Sequence, residues 1–164
     1  MRPQLDPRYS EPGTSATPWA ETDALLAEAQ MFALTTVRPD GRPHVVPLLA
    51  LWDAGALHFA TGPDEQKHRN LAHSALVTLT TSSGNRYREG VDVTVEGTAV
   101  RVTDDGRLRE LAALWPERFG EEWDYDVRDG SFWHGPGPAH VFVVQPSVVR
   151  TFTRDPSRQT TYRP

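Results

Sequence analysis

The alternation of hydrophobic and polar residues along this chain predicts mainly β-strands. It is clearest at residues 91–102, which begin VDVTVEG, with valine at positions 91, 93 and 95. A period of two is the repeat of a strand with one buried face, so we predict a strand here. Shorter apolar or alternating stretches between turn residues predict further strands at 31–37, 43–52, 56–60, 75–82, 140–145 and 148–153.

Turn signals between these segments arrange most of the predicted strands as hairpins. The pair Asp40-Gly41 joins the first two strands, and Gly55 lies in the turn before the third, so we expect these three to form a meander. We expect Pro146-Ser147 to form a turn between the last two strands. Seven strands in hairpin order favour an antiparallel barrel over a doubly wound sheet.

Two to three short helices are predicted beside these strands. Residues 19–30 carry a short apolar stripe, and residues 63–73 begin with a proline, which suits the first turn of a helix. A third helix begins near Asp104, and its apolar residues recur at i, i+3, i+4 and i+7 from Leu108. The aromatic, glycine-rich stretch that follows, residues 119–138, has no clear period.

The N-terminal segment differs in composition from the rest of the chain. Residues 1–18 contain four prolines and few large apolar side chains, so we predict an extended or mobile arm at 1–18 and one domain at 19–164. The first residues lack the apolar core of a secretion signal, and no apolar stretch approaches the roughly 20 residues of a membrane span. We therefore expect a cytoplasmic protein without a membrane partner.

Charge and residue counts exclude several kinds of function. The formal net charge is −5, which argues against a nucleic-acid partner. The chain has no cysteine, which excludes disulfides, thiolate metal sites and cysteine nucleophiles. The six histidines show no metal-ligand spacing, and no Gly-x-Gly-x-x-Gly follows a predicted strand. We expect neither a metal site nor a dinucleotide fold, and we can name no catalytic side chain.

The only lysine of the chain, Lys67, marks the most informative motif. It lies in residues 61–71, TGPDEQKHRNL, directly after an apolar strand. This pattern indicates a strand, a tight turn and a helix start, where free backbone amides and a cation one turn further in can hold a phosphate. We therefore predict that Thr61 and Lys67 bind a phosphorylated small molecule or cofactor. The alternative is a helix cap with an exposed lysine.

Four sequence elements together resemble the split-barrel flavin and deazaflavin proteins, the pyridoxamine-phosphate-oxidase-like group. They are residues 33–47 (ALTTVRPDGRPHVVP), 57–71 (LHFATGPDEQKHRNL), 96–99 (EGTA) and 160–163 (TTYR). The resemblance covers about residues 20–163, and the second element is the most specific. It looks closest to the actinobacterial branch that uses the deazaflavin coenzyme F-420.

The resemblance implies an antiparallel split β-barrel of Greek-key type, and a homodimer with two cofactor sites at the subunit interface. Carried over by position, Thr61, Gly62 and Lys67 would hold the cofactor phosphate, and Asn70 would brace the loop or reach the phosphate. Three consecutive residues would present backbone and apolar surface to the ring: Val46, Pro47 and Leu48. The proline there favours a sheet edge or a bulge, although a plain core strand is the alternative.

The resemblance also implies an oxidoreductase that transfers a hydride from reduced F-420 to an activated double bond of a small organic substrate. FMN is the alternative cofactor. The same residues are compatible with a non-catalytic cofactor- or ligand-binding protein of this fold, and with a structural protein whose barrel is empty. Arg69, Arg86 and Arg88 would supply positive charge for the glutamyl tail of F-420. The aromatic residues of 119–137 either cover a satellite core or form a lid and pocket wall over the ring.

Overall fold

A computed structural model of the protein describes residues 1–86, 88–135 and 137–164. The strands in these ranges are β1 (Arg2–Leu5), β2 (Met31–Val37), β3 (Pro43–Leu49), β4 (Leu51–Asp53), β5 (Ala56–Thr61), β6 (Leu76–Ser82), β7 (Val91–Val102), β8 (Asp126–Arg128), β9 (Ser131–His134), β10 (Gly137–Arg154) and β11 (Ser157–Arg163). The α-helices are α1 (Trp19–Glu28), α2 (Gln66–His73) and α3 (Asp105–Phe119). None of the described helices is long and apolar enough to cross a membrane.

The strands pair antiparallel in the order β1-β11-β10-β7-β6-β2-β3. Two further hairpins, β4–β5 and β8–β9, join this sheet because β5 and β9 each pair with β10. The predicted fold class, a mainly β antiparallel split barrel with few helices, is confirmed.

The long strand β10 joins the two parts of the sheet. Residues 141–144 lie between β5 and β7, whereas residues 149–153 lie between β7 and β11. The register to β7 shifts between Pro146 and Val148, opposite Gly97. A Cβ added to Gly97 would lie 2.4 Å from the carbonyl oxygen of Gln145, so glycine is what permits the two strands to approach so closely at this irregularity.

Several predictions about individual strands are wrong. Residues 140–153 belong to one strand without a turn at Pro146-Ser147, because the proline lies beside the register shift and interrupts the ladder only locally. The predicted strand at 43–52 is two strands, β3 and β4: β3 pairs with β2 and β4 pairs with β5, so the two expected hairpins form through different strands. Residues 119–138, for which no period was found, contain the short strands β8 and β9.

Two hydrophobic clusters form the core. The larger fills the barrel with alternate residues of β2, β6 and β7, which include Leu34, Leu79 and Val95. The smaller cluster packs α3 against β9 and β10, and it includes Trp115, Phe132 and Val141. The apolar stripe predicted on the third helix is thus the face that α3 buries.

The N-terminal residues lie along the C-terminal strand. Strand β1 pairs antiparallel with β11, so the first residues are extended. The hydroxyl of Tyr162 donates to the carbonyl oxygen of Thr17 at 2.9 Å, and the amide of Thr17 donates to the hydroxyl of Thr160 at 3.0 Å. The division into an arm at 1–18 and a domain at 19–164 stays a prediction.

Candidate functional site

Three hydrogen-bond donors converge at the junction of β5 and α2. Thr61 ends β5 and is buried, Gly62 follows it, and Lys67 lies in the first turn of α2. The side chain of Lys67 is only 9% exposed, which is unusual for a lysine and requires a nearby anion. We call these three residues the donor cradle.

The anion that the donor cradle holds is the carboxylate of Glu65. One oxygen accepts a hydrogen bond from the amide of Gly62 at 2.7 Å and from the hydroxyl of Thr61 at 3.2 Å. The other oxygen forms an ion pair with the ammonium of Lys67. Burial raises the pKa of Glu65, but the hydrogen bonds from Lys67 and Gly62 outweigh it, so the pKa lies below its ordinary value. Glu65 is therefore an anion at neutral pH.

A cleft of about 540 Å³ opens beside the donor cradle. Thr61, Gly62 and Glu65 are among its lining residues, whereas Lys67 is not. Leu48 and Leu49 of β3 line an apolar part of the same space. The cleft thus joins an anion-binding corner to a surface that suits a flat apolar ring.

The remaining wall of the cleft is aromatic. Trp115 of α3 is buried in the smaller core cluster and also lines the cleft. Tyr125 stacks on Phe132 with ring centroids 4.7 Å apart, and Trp123 is 36% exposed at the rim. Phe132 belongs to a satellite core with Tyr125 packed against it, and Trp123 and Tyr125 line the cleft; a lid over a cofactor ring stays a prediction.

The three residues predicted to face the ring lie on β3, at one end of the strand order. The edge position that the proline indicated is confirmed. Leu48 lines the cleft, whereas Val46 packs against the barrel core and Pro47 is exposed opposite Ala33 of β2. The structure thus brings Leu48, but not the side chains of Val46 and Pro47, into the cleft.

Asn70 is fully buried, and its side chain connects elements of the fold. Its amide nitrogen donates to the hydroxyl of Thr36 at 2.9 Å, and its amide oxygen accepts from Gln66 at 2.8 Å. Asn70 thereby holds α2 against β2, below the donor cradle. A contact between Asn70 and a phosphate stays a prediction.

The arginines considered for the cofactor tail lie outside the cleft lining. Arg86 and Arg88 are exposed, at 3.7 Å from Glu89 and Asp155 respectively. Arg69 is exposed on α2 and donates to the carbonyl oxygen of Asp64. Their role toward a polyanionic tail stays a prediction.

Two histidines beside α2 form a direct hydrogen bond that sequence reasoning missed. The Nε2 of His68 lies 2.8 Å from the Nδ1 of His140. Burial lowers the pKa of both imidazoles, and the positive charge of Arg101 lowers them further. Within the described part of the chain, no three His, Asp or Glu side chains are grouped closely enough to hold a metal ion.

Sequence comparison shows the family of this chain. The pyridoxamine 5'-phosphate oxidase family matches residues 18–153, which is most of the chain. The chain belongs to this family. No curated protein matches it by sequence.

Several solved structures have a similar fold. A heme binding protein from Mycobacterium smegmatis is 19% identical with a TM-score of 0.70, and the match covers 91% of this chain and 60% of that one. An F420 reductase is 24% identical with a TM-score of 0.54, covering 77% and 94%. The FAD binding protein from Mycobacterium smegmatis is 16% identical with a TM-score of 0.57, covering 90% and 96%. At these identities the likeness shows the fold alone.

Membership of the family places the chain among split-barrel proteins that bind flavins and include oxidoreductases. The family predicted from the sequence is thus confirmed. The names of the three structural neighbours refer to three different cofactors, namely heme, F420 and FAD. The assignment of this chain to the F-420 branch therefore stays a prediction.

Proposed function

We propose that this protein is an oxidoreductase that binds reduced F-420 and reduces an activated double bond of a small organic molecule. The observation that carries the proposal is a cleft in which Thr61, Gly62 and Glu65, the ion-pair partner of Lys67, lie beside an apolar and aromatic surface. Its volume of about 540 Å³ lies in the range of small-molecule and cofactor sites, roughly 300–1,000 Å³.

The donors in the cradle fit a phosphate. A backbone amide, a hydroxyl and an ammonium are the groups that bind phosphate oxygens in proteins. In the structure they already hold an anion, the carboxylate of Glu65. The buried position of Lys67 favours an anion at this point, because an unpaired buried ammonium is strongly unfavourable.

The rest of the cleft fits a flat ring. Leu48 supplies apolar contact from the edge strand, and Trp123 and Tyr125 supply aromatic surface. Aromatic side chains favour stacked or edge-to-face contacts with other rings. In this arrangement Thr61 and Lys67 fix one end of the cofactor while the wall sets the plane of the other.

When bound, reduced F-420 supplies the hydride. The residues of this chain bind the cofactor, orient it and exclude water from the reacting end. Tyr125 is the titratable hydroxyl in the wall, and burial raises its pKa, so it keeps its proton at neutral pH. The hydride adds to one atom of the double bond and the other atom takes a proton from solvent when the cleft opens, so the activity we propose needs no acid or base from the described lining.

The homodimer belongs to the same proposal. Val45, Pro47 and Leu49 share the outer face of β3, and Val45 is 60% exposed. Met31, opposite Leu49, is 52% exposed and also lines the cleft. A second subunit would cover this apolar face and close the cleft. Sedimentation should give twice the mass of one chain, and Val45→Asp should give the single-chain mass.

A titration tests the cofactor choice. Because Trp115 and Trp123 line the cleft, a bound cofactor should quench tryptophan fluorescence. The protein is titrated separately with F-420 and with FMN at one ionic strength. Saturable quenching by F-420 at lower concentration than by FMN supports the proposal. Saturation by FMN alone would replace F-420 with the flavin.

A cofactor carrier without turnover is the second candidate. The same cleft is compatible with it, because the proposed reaction uses no catalytic side chain. The likeness to a heme binding protein fits the same candidate. Stopped-flow oxidation of the reduced cofactor by enones, quinones and tetrapyrroles separates the two. Acceleration over buffer by any acceptor supports the enzyme, and no acceleration across the panel supports the carrier.

A further inference from the structure

The side chain of Glu65 does not cap the helix that it precedes. Glu65 is the N-cap residue of α2, with extended backbone angles of φ −77° and ψ 150°, yet its side chain makes no capping hydrogen bond. An N-cap side chain ordinarily accepts from an amide of its own helix. The carboxylate of Glu65 turns back instead and accepts from Gly62 and Thr61, which precede it.

Glu65 uses all three donors that the proposed function assigns to the cofactor phosphate. The contacts come from the amide of Gly62, the hydroxyl of Thr61 and the ammonium of Lys67. A phosphate placed on these donors would lie beside a carboxylate of like charge, which is unfavourable at such separation. Glu65 and a phosphate therefore exclude each other from the cradle.

The two partners of the ion pair differ in their freedom to move. The side chain of Glu65 is 49% exposed, so rotation about its own bonds can carry the carboxylate into solvent. The side chain of Lys67 is 9% exposed and stays enclosed. An incoming anion can thus replace the carboxylate while the ammonium remains in place.

We propose that Glu65 is an internal competitor for the cofactor phosphate: its carboxylate occupies the donor cradle in the ligand-free protein, and the phosphate of an incoming cofactor displaces it. The inference rests on the proposed function for the identity of that cofactor. Glu65 lowers the affinity of the cradle for every anion, so a ligand must supply a strong phosphate contact, and further contacts with the ring, to bind.

Inorganic pyrophosphate tests this competition without the cofactor ring. Calorimetric titrations at constant ionic strength compare the wild type with Glu65→Gln, which removes the charge and keeps the side-chain length. Asp64→Asn is the matched control, because it removes a neighbouring exposed carboxylate that accepts no hydrogen bond from the donor cradle. Glu65→Gln should bind pyrophosphate about tenfold more tightly or better, the effect of a lost charged competitor. Asp64→Asn should stay within about threefold of wild type.

A second variant guards against loss of structure near the buried lysine. Glu65→Asp keeps the charge that Lys67 requires but shortens the side chain, so it cannot reach all three donors. It should also bind pyrophosphate more tightly than the wild type. In addition, the amide NMR signal of Gly62 should shift in Glu65→Gln without ligand, and should shift in the wild type when pyrophosphate is added.

The outcomes separate this inference from the proposed function. Equal or weaker pyrophosphate binding by both Glu65 variants overturns the inference, as does an equal gain in Asp64→Asn or no binding by any variant. If neither F-420 nor FMN binds but the Glu65 variants gain affinity for pyrophosphate, the inference holds and the proposed function falls. If a cofactor binds the wild type and Glu65→Gln equally well, the proposed function holds and the inference falls.

Discussion

The ammonium of Lys67 lies against the carboxylate of Glu65, two residues earlier in the chain, and the lysine side chain is more than nine-tenths buried. Removal of one partner from a buried ion pair leaves an uncompensated charge and is strongly unfavourable. An anion beside Lys67 is therefore strongly favoured. That anion is Glu65 in the structure and, in our proposal, a phosphate when the cofactor binds.

Replacement of the buried lysine should weaken cofactor binding. Lys67→Ala removes a charged hydrogen bond to the phosphate, for an expected loss of about 1.5–3 kcal/mol. Fluorescence titration with F-420 and FMN measures the loss. Arg109→Ala is the control, since it removes an exposed cation of α3 that is not among the described residues lining the cleft, and it should change the affinity by less than about 1 kcal/mol. Equal losses in the two variants would show that Lys67 acts only through general charge.

The aromatic rim should contribute to binding of the ring and little to folding. Trp123 is partly exposed, so Trp123→Ala should weaken cofactor binding by about 0.5–1.5 kcal/mol, the value of an aromatic pair. Trp133→Ala is matched in size, and Trp133 packs under the guanidinium of Arg128 outside the described cleft lining. Unchanged affinity in Trp123→Ala, or the same loss in Trp133→Ala, would remove Trp123 from the site.

Stability should decrease as the pH falls below about 6.5, the ordinary pKa of histidine. Burial lowers the pKa of His58, with a smaller contribution from the charge of Arg107, and burial also lowers the pKa of His68 and His140. The unfolded chain therefore binds protons more readily than the folded chain in this range, and the free energy of unfolding decreases.

Urea unfolding at about pH 7.5 and about pH 5.5 measures this effect. Carboxyls with lowered pKa values, among them Asp92 beside Arg154, affect the stability only at more acidic pH. Their stabilising contribution is lost as the pH falls below about 4.5 and they become protonated. His58→Gln should show a smaller difference between the two conditions than the wild type. Equal stability of the wild type at both would refute the assignment of a buried neutral imidazole at this position.

The hydroxyl of Tyr162 should stabilise the attachment of the N-terminal segment. It donates to the carbonyl oxygen of Thr17 and lies 2.7 Å from the hydroxyl of Thr22, and all three residues are buried. Tyr162→Phe leaves these partners unsatisfied and should lower the free energy of unfolding by about 1–3 kcal/mol. Tyr9→Phe, at a residue 62% exposed, should have no measurable effect in the same urea experiment. A similar midpoint for both variants would contradict the role of the buried hydroxyl.

Local sequence patterns were sufficient for much of the fold. The alternation over residues 91–102 predicted β7 with its bounds, because one face of that strand is buried along its first part. The Asp40-Gly41 pair predicted the β2–β3 hairpin, where Gly41 adopts a φ of +83° that favours glycine.

Features that depend on contacts distant in sequence could not be predicted in the same way. Pro146 indicated a turn, but pairing of β10 with β7 on one side carries the strand through it. The strands β8 and β9 have only three and four residues, which are too few to show a period in this glycine-rich stretch.

The candidate site shows the same division. The motif predicted that Thr61, Gly62 and Lys67 lie at a strand-to-helix junction, and in the structure they lie where β5 ends and α2 begins. The orientation of the Glu65 side chain and the hydrogen bond between His68 and His140 depend on side-chain packing, and no signal in the sequence marks either. The cleft is lined by residues of both α3 and β3, and the spacing of residues along the chain does not show that these elements lie near each other.

A crystal structure of the protein with F-420 or FMN tests the central claim most directly. We predict a cofactor phosphate at about 3 Å from the ammonium of Lys67 and the hydroxyl of Thr61, a ring against Leu48 and Trp123, and the carboxylate of Glu65 turned away. A cofactor bound elsewhere, with the ion pair between Lys67 and Glu65 intact, would contradict the account.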